Sequence, residues 1–265
     1  MDNAQQWSIR IMHERQQHDL CCFLTLTYND HYLPNPPTLV KRHFQTFMKR
    51  LRKYIWSQHK HLPKELHPKI KYYMCGEYGG KTHRPHYHAI LFGVNFSDKK
   101  FRKFSGGGDR LFTSEKLDEL WGLGHCWIGN VTYQSAGYVA RYCMKKVNGN
   151  LADEHYSYVN KETGEIAILL KEYMAASNRL GLDHFLEHKT EMYRRDSVIV
   201  NGKEAPIPKY YDRKLGELNP DLLEEIKYQR QERARKRAAD NTPARLAVKE
   251  EIKKAQVSQL RRDLE

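Results

Sequence analysis

"KIKYYMCGEYGGKTHRPHYHAILFG", residues 69–93, is the stretch whose reading decides the fold. Two apolar and aromatic runs, 69–79 and 84–93, flank Gly79-Gly80-Lys81, and a glycine-rich break between such runs reads as a hairpin turn. Side chains two apart on a strand share a face, so His86 and His88 stand side by side on one wall. A turn centred near Lys81–Thr82 sets Glu77 opposite His86, where Cβ atoms lie about 5 Å apart. Two imidazoles and a carboxylate on one face can share one cation. Three protein ligands leave coordination positions open, as catalytic sites do and structural zinc sites do not. His83 is a competing ligand, but its place is the turn.

The neighbouring segments extend this hairpin. "DLCCFLTLTYND", 19–30, reads as a buried strand that breaks at Asn29-Asp30. Thr38 ends a proline-rich loop and is a plausible N-cap for a helix over 39–59, with Phe44, Phe47, Met48, Leu51 and Ile55 on one stripe. A short helix over 113–124 opens at Thr113 or Ser114 and closes with glycine, and 125–133 is a fourth strand. Residues 135–149 form another helix, closed by Asn148-Gly149. The order β-α-β-β-α-β followed by a helix predicts an α+β, ferredoxin-like (RRM-like) antiparallel sheet with helices on one face. Residues 1–150 would form this core and 151–265 a mostly helical extension. Within the extension, 165–195 read as mainly helical. "SVIVNGKEAPIP", 197–208, reads as a hairpin about Asn-Gly, and 221–262 as one long charged helix or a partly disordered arm.

The chain has 265 residues and a formal net charge of +13, an excess that points to a polyanion such as nucleic acid. Residues 41–71 hold ten Lys or Arg against the single acid Glu65, whereas 221–265 are nearly balanced, twelve basic to nine acidic. The electrostatic footprint is therefore expected in the first third. The odd set Cys21, Cys22, Cys75, Cys126 and Cys143 contains no CxxC pair and argues against a disulfide framework or a structural zinc site. With no long apolar run and no signal-peptide core, a soluble intracellular protein is expected.

"YVARYCMKK", 138–146, adds a third piece. On a helix Tyr138, Tyr142 and Lys145 are spaced i, i+4, i+7 and line one face, while the adjoining row Val139, Cys143, Val147 is apolar and can face the sheet. A divalent cation polarises a phosphodiester, a lysine can stabilise developing charge, and a tyrosine hydroxyl can then attack phosphorus. Such a row of tyrosines and lysine is equally what ordinary core packing with a snorkelling lysine looks like.

Taken together, "FLTLTY", "GEYGGKTHRPHYHAILFG" and "YVARYCMKK" resemble, in order, the three motifs of HUH endonucleases. The wording is similar to the replication initiators of microviruses, the gokushovirus branch of single-stranded DNA phages in particular, and "PIPKYYDRKL", 206–215, has the same look. The resemblance implies Glu77, His86 and His88 as ligands of Mg²⁺ or Mn²⁺, Tyr138 and Tyr142 as nucleophiles, and Lys145 as the assisting cation. Tyr142-x-x-Lys145 also matches members with one tyrosine. Implied partners are single-stranded DNA and the supercoiled replicative form at the phage origin, in the host bacterial cytoplasm. A host polymerase would extend the freed 3′ hydroxyl. A host helicase would also be needed, since no GxxxxGK[ST] pattern occurs. Three other readings remain: a relaxase or transposase with the same chemistry, a metal-dependent hydrolase, and a non-catalytic RNA-recognition-like binder.

Overall fold

The computed structural model describes residues 3–80, 82–142, 146–160 and 163–259. The chain divides into two compact units, residues 1–184 and 185–265. The first unit is built on a seven-stranded antiparallel sheet. Its strands are β1 (Cys21–Thr27), β2 (Lys71–Tyr78), β3 (Pro85–Phe92), β4 (Lys100–Phe104), β5 (Arg110–Thr113), β6 (Cys126–Gly129) and β9 (Tyr173–Ala176), in the order β4-β5-β6-β1-β3-β2-β9. A separate two-stranded ribbon pairs β7 (Ser157–Val159) with β8 (Ile166–Ile168).

The period-2 pattern of β1 sorts its residues. Cys22, Leu24 and Leu26 face a core with Met74, Tyr87, Ala89 and Leu91. Helix α2 (Lys41–Gln58) covers this face with Phe44, Phe47, Met48 and Leu51, and α3 (Glu115–Trp121) adds Leu117 and Trp121. Gly76 permits the packing here, since a Cβ would come within 3.0 Å of Leu39 and of Tyr173 and 3.3 Å of Tyr87. The opposite face carries Phe23, Thr25, Tyr73, Glu77, His86 and His88. It is covered by α1 (Asn3–Gln16), whose Trp7 ring lies 4.9 Å from Tyr73, and by α4 (Tyr133–Tyr142), whose Tyr138 ring meets Phe23 and His88. A single turn of helix, α5 (Ala152–His155), leads into β7.

The expectation of helices on one face is therefore corrected: α2 and α3 lie on one side, α1 and α4 on the other. The Phe23 face is apolar enough at its Tyr73 end to require cover. Val40, not Thr38, stands at the N-cap of α2 and offers no side-chain cap. The Thr38 hydroxyl instead joins the Tyr78 hydroxyl (3.3 Å) and the Leu170 backbone N–H (2.8 Å). Ser114 does cap α3, accepting from Leu117 N–H, and Gly122 closes it in the left-handed region at φ 68°. The expected helical span 165–195 contains β8 and β9, and helix only at α6 (Leu182–Arg195). "YMAA" has little strand preference of its own and is a strand because it completes the edge beside β2.

A buried charge cluster ties α1 to the sheet. The Glu14 carboxylate is fully buried and accepts from Lys71 Nζ (2.8 Å), the His18 ring (2.7 Å) and Gly181 N–H (2.7 Å), while Lys71 also meets Asp183 at 3.1 Å. Burial pushes the Glu14 carboxyl upward, but these partners outweigh it and hold it below the usual carboxylate range. Lys71→Met strands a buried carboxylate and is expected to lower stability by about 3 kcal/mol at pH 7. Because the folded-state pKa is depressed, that contribution is present above the carboxylate range and is lost as pH falls through the folded value. Urea titrations of parent and variant should converge toward acid pH; an equal gap at pH 7 and at acid pH would show that the Glu14 charge is not its source.

In the second unit, β10 (Val198–Val200) and β11 (Lys203–Ala205) form the expected hairpin, with Asn201 and Gly202 both at positive φ, 53° and 72°. Phe185 stacks at 5.0 Å on Tyr211 of α7 (Lys209–Leu218), and Arg230 bridges Asp196 (2.6 Å) and Asp212 (2.7 Å). Residues 221–262 are not one helix. Within the described residues α8 (Pro220–Lys236) ends before a 3₁₀ turn, and α9 (Pro243–Ser258) restarts under a Thr242 cap.

Candidate active site

The hairpin places its chemistry by register alone. Glu77 is paired with His86 across β2 and β3, and Cys75 with His88. The three ligand-type side chains are buried, and their donor atoms lie within 4.8 Å of one another. Glu77 Oε1 is 2.8 Å from His86 Nε2 and 3.0 Å from His88 Nε2. His83 sits outside the cluster, exposed in the turn at φ 51°.

Outer partners orient both rings. His86 Nδ1 lies 3.2 Å from the Arg84 carbonyl, which can only accept, so the proton sits on Nδ1 and the Nε2 lone pair faces Glu77. His88 Nδ1 is 3.0 Å from the Thr25 hydroxyl on the neighbouring strand, the kind of outer contact that holds a ligating imidazole in place. A lone pair and a carboxylate facing each other at these distances require a shared cation, either a proton or a metal. Burial pushes the Glu77 carboxyl upward, yet its contacts with His86 and His88 outweigh this and hold it below the ordinary value. Glu77 Oε2 is buried without a hydrogen-bond partner among the described residues, an arrangement that coordination would satisfy. The donor set therefore fits a divalent cation.

Helix α4 brings Tyr138 onto this face. Its ring, 2 % exposed, meets the His88 ring edge-to-face at 5.1 Å and the Phe23 ring at 6.4 Å. It is thus Tyr138 that packs against the sheet beside the ligands, where the apolar row of Val139 was the expected contact. Tyr142 is the last residue of α4, one turn further on, and Lys145, Cys143 and the expected helix end before Asn148 lie outside the described residues or beyond α4.

The basic helix is not part of this site. α2 lies on the opposite face of the sheet, with Arg42, Lys49 and Lys53 exposed there. Two of its cations serve the fold. Arg50 donates to the Leu120 and Trp121 carbonyls at the end of α3, and Arg52 to the Ile70 carbonyl. What the sequence reading missed is the β4–β5 hairpin, which extends the sheet on the site's side of the molecule. Its only signal is the triple glycine 106–108 between two short aromatic runs, and β4 is exposed at every position, so no alternation of apolar residues marks it.

Residues 21–147 match a family model of replication-associated proteins described under the name ORF2. The chain is similar to replication-associated protein ORF2 of Spiroplasma virus 4, with 33% identity over 226 residues, covering 81% of this chain and 64% of the relative. It is 34% identical over 212 residues to replication-associated protein VP4 of Bdellovibrio phage phiMH2K, covering 80% and 62%. Replication-associated protein ORF4 of Chlamydia phage 1 is 33% identical over 206 residues, covering 75% and 46%. The chain thus spans less than two thirds of the length of each of these relatives. No solved structure matches it. Among the described residues no helix is long and apolar enough to cross a membrane.

Proposed function

From the match of residues 21–147 to the replication-associated protein family, we propose that the chain initiates replication of a small single-stranded DNA phage as an HUH-type, tyrosine-dependent DNA endonuclease and strand-transferase. The observation that carries the reading is the buried Glu77–His86–His88 cluster with the Tyr138 ring against His88, inside the matched segment. The order β6-β1-β3-β2 with α2 and α3 on one face supports a ferredoxin-like centre, to which β4, β5 and β9 are added.

Glu77, His86 and His88 would hold Mg²⁺ or Mn²⁺. The ion, when bound, polarises a non-bridging phosphate oxygen and offsets negative charge at phosphorus. Arg84 O and Thr25 keep the imidazoles aimed, so the ligands need little reordering when DNA arrives. A tyrosine Oη, from Tyr138 or Tyr142, attacks phosphorus. The P–O bond to the 3′ oxygen breaks, the tyrosine proton is lost to solvent or a nearby base, and the 3′ oxygen leaves as a hydroxyl. The strand's 5′ phosphate stays on the enzyme as a phosphotyrosine. The phosphodiester count is unchanged, so a 3′ hydroxyl can reverse the step and join the ends. Lys145 would stabilise the developing charge.

The test is end-labelled single-stranded origin DNA with Mn²⁺, resolved on a denaturing protein gel. A labelled band at the mass of protein plus DNA is expected. Cleaved DNA without that band would mean hydrolysis, and neither product with any divalent metal would reject the reading.

A further inference from the structure

The sheet face that carries the metal cluster does not end at β1. Thr25 is paired with His88 on one side and with Trp127 of β6 on the other, so Trp127, Thr25 and His88 form one row on one face. Trp127 is half-buried, and Lys103 Nζ lies 4.7 Å from its ring centroid. The register of β4 against β5 shifts between Phe101 and Lys103. Such a shift turns two consecutive side chains toward one side: Arg102 reaches the Thr113 hydroxyl (3.3 Å) and Lys103 reaches Trp127. Lys100, on the same strand, is neutralised by Glu115 at 2.8 Å. Arg102 and Lys103 are exposed and have no carboxylate within ion-pair distance among the described residues. The site face thus runs from the ligands to an aromatic ring and then to two unneutralised cations at the sheet edge.

We infer that the Trp127 ring with Arg102 and Lys103 forms a docking track for the unpaired DNA strand leading into the metal cluster. A base stacks on or beside Trp127, and the two cations contact the backbone. The inference rests on the proposed function and extends it from the cutting site to the strand's path. The occupant is single-stranded because an indole face stacks only on an unpaired base, and a cationic groove with aromatic platforms is how single strands are held without sequence readout. From β3 to β4 the track spans roughly 19 Å at one strand spacing per step, room for about four nucleotides. The exposed cations of α2 lie on the other face and do not contribute to it.

The test uses the full chain in EDTA, so that binding is read without cleavage. The probes are a labelled single strand of about 20 nucleotides, several times the span of the track, and the same strand annealed to its complement. Trp127→Ala should weaken single-strand binding about tenfold or more, Trp127→Phe should restore most of it, and the duplex should change much less. Arg102→Glu/Lys103→Glu, at exposed positions, should weaken the single strand as well and flatten its salt dependence. It decides the matter alone if Trp127→Ala fails to fold. Single-strand affinity unchanged in these variants, or lost equally for both probes, overturns the track. The adduct gel separates the two ideas. Normal adducts with unaffected binding would sink the track and leave the nuclease standing. Variants that lose binding in a protein that never forms an adduct would do the reverse.

Discussion

Replacing His88 by alanine is expected to lower metal-dependent nicking by more than about a hundredfold, beyond the 10–100-fold that loss of an outer-sphere partner alone costs. The ring is 1 % exposed, and one of its nitrogens lies 3.0 Å from Glu77 and the other 3.0 Å from Thr25, so no neighbouring side chain can replace it. A second readout keeps a folding defect apart from loss of the ligand. Mn²⁺ at about a hundred times its dissociation constant should stabilise the parent by about 2.7 kcal/mol, and that increment should vanish in His88→Ala while the baseline unfolding transition remains cooperative. His86→Ala should behave alike, with a smaller effect on the baseline because its ring packs near the turn rather than under α4. The increment should also shrink as pH falls below about 6.5, where imidazoles take up protons that compete with metal. A parent protein whose unfolding ignores Mn²⁺, or a His88→Ala variant that nicks normally, would remove the metal from the mechanism.

The double variant Tyr138→Phe/Tyr142→Phe is expected to lose the covalent protein–DNA adduct by roughly a thousandfold or more, as nucleophile removals do. Phenylalanine keeps the ring of Tyr138 against Phe23 and His88, so the change removes hydroxyl chemistry and little packing. The single variants then divide the work between a tyrosine already seated beside the ligands and one a helical turn away. Residual adduct at parental level in the double variant would assign the nucleophile elsewhere. Cleavage that persists without adduct would return the site to hydrolysis.

The ligand cluster was legible because it is local. A turn of two glycines, a strict alternation and a short loop leave one register that buries the apolar side chains of both strands, and that register pairs Glu77 with His86. The hairpin about Asn201-Gly202 was legible for the same reason. Elements that depend on distant partners were not. β9 carries helix-favouring Met and Ala yet pairs with β2 about a hundred residues away. α1 shows no clean stripe, because Glu14, Arg10 and His13 are buried along with its Ile9 and Ile11.

The amino-acid order by itself determined which side chains share a face: Glu77, His86 and His88 on one wall, Tyr78 and Tyr87 on the other. Alternation along a strand and one hairpin turn are enough for that. Only the tertiary structure decided which helix covers which wall. α2, with its exposed cations, lies behind the site, α4 carries Tyr138 over His88, and β4 to β6 extend the site face to Trp127 and Lys103. Those placements come from crossovers and from burial between segments far apart in sequence, and no local period records them.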